Sequence, residues 1–364
     1  MKVFHSFYER FFDLKENRFS NLQGIRAFAI FMVFNVHLFG IYADKNFFLN
    51  NSWLINFCKV LQSGHTGVDL FFVLSGFLIF RSLGKAKSVA QFMLKRYHRL
   101  WPVVCFTGLL LLRNMNYSFT TMFDNFSLLM LWSKAPVNYV NWTLTYEIYF
   151  YFFISIWHFY FSKIKIFQNY GIFLYGALLI FIFAITPGHF IQEPYRFLGF
   201  FWGILLAKLF DQGYLSNRIV SRFSKISLYV SLLGILSLLI WHGVYNEASQ
   251  LPPVINTYLF YTLVQFLYFL LLTCLLKVDC SLTPFLSSRF MQFLGNISFS
   301  FYVVHGIWGI GTARKITDDL PDTIWKLIST WTLGMAISIL FATILFLWLE
   351  KPYFTGRSYF SWFK

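Results

Sequence analysis

LQGIRAFAIFMVFNVHLFG, residues 22–40, is an almost unbroken apolar run that nevertheless carries an arginine at 26 and a histidine at 37. About 20 apolar residues cross a bilayer core as one α-helix, so this stretch has the length of a membrane span. A charge at the bilayer centre costs at least ~2.5–3.5 kcal/mol. Such groups persist where they pair, face an internal cavity or do chemistry. Eleven steps of 100° return Arg26 and His37 to within about 20° of one helix face, with a rise of ~16 Å between them. Singly, Arg26 reads equally well as an interfacial arginine and His37 as an interhelical hydrogen-bonding group. Their shared face favours function.

The rest of the chain has the same character. It is 57% hydrophobic and 12% charged, with a mean hydropathy of +0.58, whereas soluble domains carry about 25% charged residues. Ten apolar runs follow one another, near 24–42, 66–80, 100–112, 142–161, 170–186, 194–210, 226–243, 254–276, 296–311 and 325–350. With both ends inside, inner segments hold 21 basic residues and outer segments 7, the bias of the positive-inside rule. The expected fold is an all-α, polytopic membrane helix bundle of about ten transmembrane helices, both termini cytoplasmic. Residues 1–21, aromatics interleaved with charges, read as a cytoplasmic amphipathic segment lying on the membrane, without a cleaved signal peptide. Residues 22–353 form the membrane domain and 354–364 a cytoplasmic tail. The Asn-rich stretch 114–141, with FSLLMLW inside it, is either a loop or a re-entrant piece. Topology accounts for the net charge of +15, and no nucleic-acid motif appears. Cys58, Cys105, Cys274 and Cys280 lack metal spacing, so no metal is expected.

More ionisable groups sit inside these runs. GHTGVDLFFVLSGFLIF, residues 64–80, enters from the outer side with Asp69 in its first turn or so. There it either caps the helix or lies beside His37 and fixes that ring's tautomer. Ser75 has no base partner in sequence and reads as a packing residue. FMLKRYHRLWPV, residues 92–103, puts Arg96 and Arg99 on one helical face before the membrane. The pair suits bidentate phosphate recognition or simply sets topology. NWTLTYEIYFYFF, residues 141–153, carries Glu147 with no local partner, so it is protonated or faces a polar cavity. Trp142 is an interfacial anchor or a ligand wall. LGNISFSFYVVHGIWG, residues 294–309, carries His305, for packing or for substrate. Arg196 is placed to pair Glu193 or Glu147.

Six pieces in this order closely resemble the acyltransferase 3 family of bacterial membrane acyltransferases. They are the Arg26-x10-His37 helix, GVDLFFVLSGFLI at 67–79, FMLKRYHRLWP at 92–102, WTLTYEIYFY at 142–151, FLGNISFSFYVVH at 293–305 and LEKPY at 349–353. LQGIRAFA departs from the commoner LDGLRGIA at Gln23. The resemblance implies an acyltransferase of the bacterial inner membrane with acetyl-CoA as acyl donor. Its acceptor would be a hydroxyl of an envelope glycan, such as lipopolysaccharide O-antigen, or of a lipid-linked saccharide. On that reading His37, Glu147 and Asp69 are catalytic, and Arg26, Arg96 and Arg99 bind the donor. Trp142 and His305 contact substrate. Direct transfer is expected, since no Ser or Cys is evidently paired with a base, and an acyl-His37 intermediate stays open. The rival readings are a proton-coupled transporter, which the lack of an internal repeat disfavours, and an O-acyltransferase of small molecules.

Overall fold

The structure is a computed structural model and describes residues 8–9, 12, 19–43, 52–112, 117–130, 136–164, 171–185, 193–216, 218–245, 253–276 and 282–355. No strand occurs among the described residues. The principal helices are α1 Ser20–Ala43, α2 Ser52–Gln62, α3 Gly67–Ser82, α4 Val89–Leu112, α5 Phe119–Ser127, α6 Trp142–Phe159 and α7 Gly171–Ile185. They continue as α8 Phe197–Asp211, α9 Arg218–Ile240, α10 Pro253–Leu275, α11 Arg289–Asn296, α12 Ser298–Ile316 and α13 Ile324–Leu345.

Each of the ten apolar runs falls on a helix, but fewer qualify as spans by length and composition. Five stretches do so: α1, the joined α2–α3 segment Ser52–Lys85, Lys225–Tyr245, Ile255–Leu275 and Ile324–Phe354. A sixth arises if α11 and α12, which meet at a 54° bend, count as one. The shortfall has a physical reason. Helices α7 and α8 have only 15 residues each, and α4 carries LKRYHR in its N-terminal half. Helix α2, which the apolar runs passed over, is amphipathic: it exposes Trp53 and Phe57 and buries Cys58.

The chain divides into two compact units, one of residues 1–68, 221–260 and 270–364, the other of 69–220 and 261–269. In the first, α1 packs against α11 so closely that a methyl group at Gly295 would collide with the Gln23 carbonyl. Small residues allow this approach between apolar helices. The described part of the N-terminal segment faces protein. Phe12 is fully buried between Phe293 and Phe346, at ring distances of 4.8 and 5.4 Å, and Tyr8 donates to Gln292. Helix α12 starts beneath the buried carboxylate of Glu350, whose Oε1 accepts from both the backbone N–H and the hydroxyl of Ser300. A carboxylate there satisfies first-turn N–H groups and meets the positive helix end. LEKPY therefore caps the helix that FLGNISFSFYVVH begins.

In the second unit, α3 crosses α8 where a side chain at Gly76 would strike the Phe200 carbonyl. Phe72, Phe200 and Phe150 stack beside it at 4.5 and 4.2 Å. The 114–141 region holds α5, nine residues long, roughly 13 Å and too short to cross a bilayer. The carbonyls at and just beyond its C-terminal end accept from side chains. Trp101 Nε1 bonds Phe126, Tyr97 bonds Ser127 and Tyr149 bonds Leu129, all at 3.0–3.1 Å.

Candidate functional site

Within the first unit His37 and His305 meet. His305 begins a π-helical turn, His305–Ile310, in the middle of α12. Such turns interrupt a helix ladder and recur at functional sites. The turn aims the buried His305 ring at α1, where its Nε2 lies 2.9 Å from Nδ1 of His37. Two carbonyls decide the tautomers. His305 Nδ1 lies 2.7 Å from the Tyr302 oxygen, so that nitrogen carries the hydrogen and donates. His305 Nε2 then has a lone pair. His37 Nδ1 must be N–H, shared between that lone pair and the Val33 oxygen at 3.0 Å. The opposite assignment would set lone pairs against both carbonyls. His37 therefore has its basic atom at Nε2, while His305 takes the orienting place that a carboxylate fills in other acid–base pairs. Arg26 lies on the same helix, half-buried. Near His37, Trp331 Nε1 donates to Asn35.

The second unit holds two further clusters. In the first, both oxygens of the fully buried Asp69 are engaged, Oδ2 by Arg196 Nη1 and Oδ1 by Gln265 Nε2, each at 2.8 Å. Arg196 also donates Nη2 to Tyr261 and Nε to Glu193, and lies 5.2 Å over the Trp142 ring. Sequence reading offered Arg196 either Glu193 or Glu147; it takes Glu193 together with Asp69. Trp142 thus backs a cation within the protein. This network joins α3, α8 and α10 through paired and hydrogen-bonded charge, the arrangement that makes buried charge tolerable.

Glu147 forms the other cluster and corrects two expectations. It does have a partner in its own helix, Tyr151 one turn on, whose hydroxyl donates to Oε2 at 2.7 Å. Ser75, expected to have no base partner, donates its hydroxyl to Oε1 at 3.1 Å. Arg96 Nη2 donates to Ser82 at 2.7 Å, on the same helix as Ser75. Tyr151, Glu147 and Ser75 thus form one hydrogen-bonded cluster, in the unit that also holds Arg96 and Arg99. Tyr151 was within reach of sequence reasoning, since i and i+4 share a helix face. Ser75 was not, because its partner lies 72 residues away. Among the described residues no group of three or more His, Cys, Asp or Glu side chains is placed to hold a metal ion.

A family profile described as an acyltransferase domain matches residues 19–347. The chain is 25% identical to acyltransferase MdmB of Streptomyces mycarofaciens over 327 residues, covering 79% of this chain and 78% of that protein. It is 24% identical to ORF330 of Acidianus two-tailed virus, a proposed acetyltransferase by name, over 285 residues, 72% of this chain and 81% of the viral protein. No solved structure matches.

Proposed function

The chain belongs to the acyltransferase domain family, and from that premise we propose that it moves an acyl group, most simply acetyl, from cytoplasmic acyl-CoA to a hydroxyl of a cell-envelope glycan such as lipopolysaccharide O-antigen. It would do so as a ten-span protein of the bacterial inner membrane with both ends in the cytoplasm. The observation that carries the catalytic assignment is the His37–His305 pair, 2.9 Å apart. Its tautomers leave Nε2 of His37 to take the proton of the attacking hydroxyl. The imidazolium so formed keeps Nδ1–H on the lone pair of His305 and on the Val33 carbonyl. A general base held this way contributes about 10²–10⁴-fold. His305 acts through His37 and is a positioning residue.

Arg96 and Arg99 bind the phosphates of the donor by charge-assisted hydrogen bonds, and Arg26 is assigned to the donor through the family motif. Glu147, half-buried and held by Ser75 and Tyr151, is the acid–base group on the donor side. Asp69 acts through Arg196, within the second unit. Buried polar atoms without hydrogen bonds, both side-chain atoms of Asn125 and Asn141 and the Thr145 hydroxyl, suit an acceptor rich in hydroxyls. The test supplies membranes containing the protein with labelled acetyl-CoA and separates lipids, polysaccharide and small molecules. Label on polysaccharide, lost in His37→Ala, is the expected result. Label only on small molecules would move the acceptor class, and donor consumption without His37 dependence would remove the catalytic assignment.

A further inference from the structure

Resting on that reading of the chain as an acyltransferase, we infer that Ser75 is a nucleophile and that transfer runs through a covalent acyl-serine. A serine that only packs in a membrane helix commonly returns its hydroxyl to a carbonyl three or four residues back. Ser155, Ser231 and Ser338 do so here, at 2.6–2.8 Å. Ser75 does not follow them. Its hydroxyl crosses from α3 to the Glu147 carboxylate on α6 at 3.1 Å, the separation of a nucleophile from its base. A third group orients that base. The Tyr151 hydroxyl holds Oε2 at 2.7 Å, which keeps Oε1 turned to Ser75. Ser75 and Glu147 are only half-buried, so a substrate can reach them.

One donor-binding group, Arg96 of α4, reaches this face of α3. Ser75 and Ser82 are seven residues apart, which puts them within about 20° of one face and ~10 Å apart along the axis. Ser82 accepts from Arg96 Nη2 at 2.7 Å, while the buried Nε of Arg96 has no hydrogen-bond partner. One face of α3 therefore receives the Arg96 guanidinium, which suits a CoA phosphate, and two turns away carries a hydroxyl facing a base. The pantetheine arm of CoA separates its phosphates from its thioester in the same sense. Ser300 also donates to a carboxylate, that of Glu350, but both are fully buried, and Ser63, 3.3 Å from His242 Nδ1, is only 2% exposed.

In the first half-reaction the Ser75 oxygen attacks the thioester carbonyl and its proton passes to Glu147 Oε1. The tetrahedral adduct then breaks its C–S bond, and CoA leaves as a thiolate that takes a proton from solvent. In the second half the acceptor oxygen attacks the serine ester and a general base takes its proton. The Ser75 oxygen leaves with the proton returned by Glu147, and the general base releases its own proton to solvent. The net change is thioester plus alcohol to ester plus thiol.

The experiment incubates the purified full-length protein in detergent with labelled acetyl-CoA and no acceptor, quenches in acid and maps the label by peptide mass spectrometry. An acetyl group on the peptide containing Ser75, together with acetyl exchange between acetyl-CoA and CoA, is the expected outcome. Ser75→Ala should lose both and lower transfer roughly a hundredfold or more, while still binding acetyl-CoA, which shows that it is folded. Ser75→Cys should instead carry a thioester that neutral hydroxylamine cleaves. Transfer by the wild type with no covalent label, label on His37, or wild-type turnover by Ser75→Ala would each overturn the acyl-serine and leave the acyltransferase reading standing. A wild-type protein that neither binds nor consumes acetyl-CoA would remove both.

Discussion

At the scale of single residues, the position of one hydrogen matters most. A lone intramembrane histidine has two tautomers of similar energy, and only one offers its base in a chosen direction. Tyr302 and Val33 remove that choice through His305. His37→Ala should therefore cost about 10²–10⁴-fold in transfer with acetyl-CoA binding retained. His305→Ala should cost less, because the base survives without its orientation. The double variant should be no slower than His37→Ala alone, since two groups acting as one unit are not additive. Initial rates of the four proteins settle this, and full activity in His305→Ala would sink the pairing. His37 was legible in the sequence as a polar group out of place in an apolar run. Its partner was not, because the pairing depends on a π-helical turn and on contact across 268 residues, neither of which periodicity records.

Between elements, buried charge ties helices together. Asp69 is 0% and Arg196 3% exposed, so removing one leaves the other charged, buried and unmatched. Asp69→Ala should destabilise the protein by about 3–5 kcal/mol, read as a lowered unfolding temperature in detergent. Asp69→Ala combined with Arg196→Met should recover part of that loss. Additive losses would mean that the two do not depend on each other. Sequence reading placed Asp69 one turn into its helix but sought its partner on α1; the choice of Arg196 follows from how α3 meets α8, which no local pattern encodes. The arginine pair on α4 was legible because i, i+3 spacing is itself geometry. If Arg96 and Arg99 hold CoA phosphates, Arg99→Ala should weaken donor binding by about 1.5–3 kcal/mol. The loss should appear as a higher acetyl-CoA requirement, with the acceptor requirement little changed. Calorimetric titration of wild type, Arg96→Ala and Arg99→Ala measures it, and unchanged affinity in both would leave these arginines a topological role.

For the whole molecule, orientation is set by where the basic residues fall. The 21 to 7 partition predicts that reporters fused after Lys364, or placed in the loop between Ser82 and Val89, are active only on the cytoplasmic side. Activity of a periplasmic reporter at either place would overturn the ten-span arrangement. Chain order has a further effect, on when each unit can be made. Most of the second unit is one continuous stretch, 69–220. The first needs both ends of the chain, and Phe12 lacks its native contacts with Phe293 and Phe346 until those residues exist. At ~5–20 residues per second a ribosome takes roughly 15–70 s to get from Phe12 to Phe346. For that interval the contacts of Phe12 with the last helices stay unmade. The histidine pair is thus among the last contacts to close during biogenesis. A stalled or shortened chain would carry Ser75 and Glu147 without the His37–His305 pair.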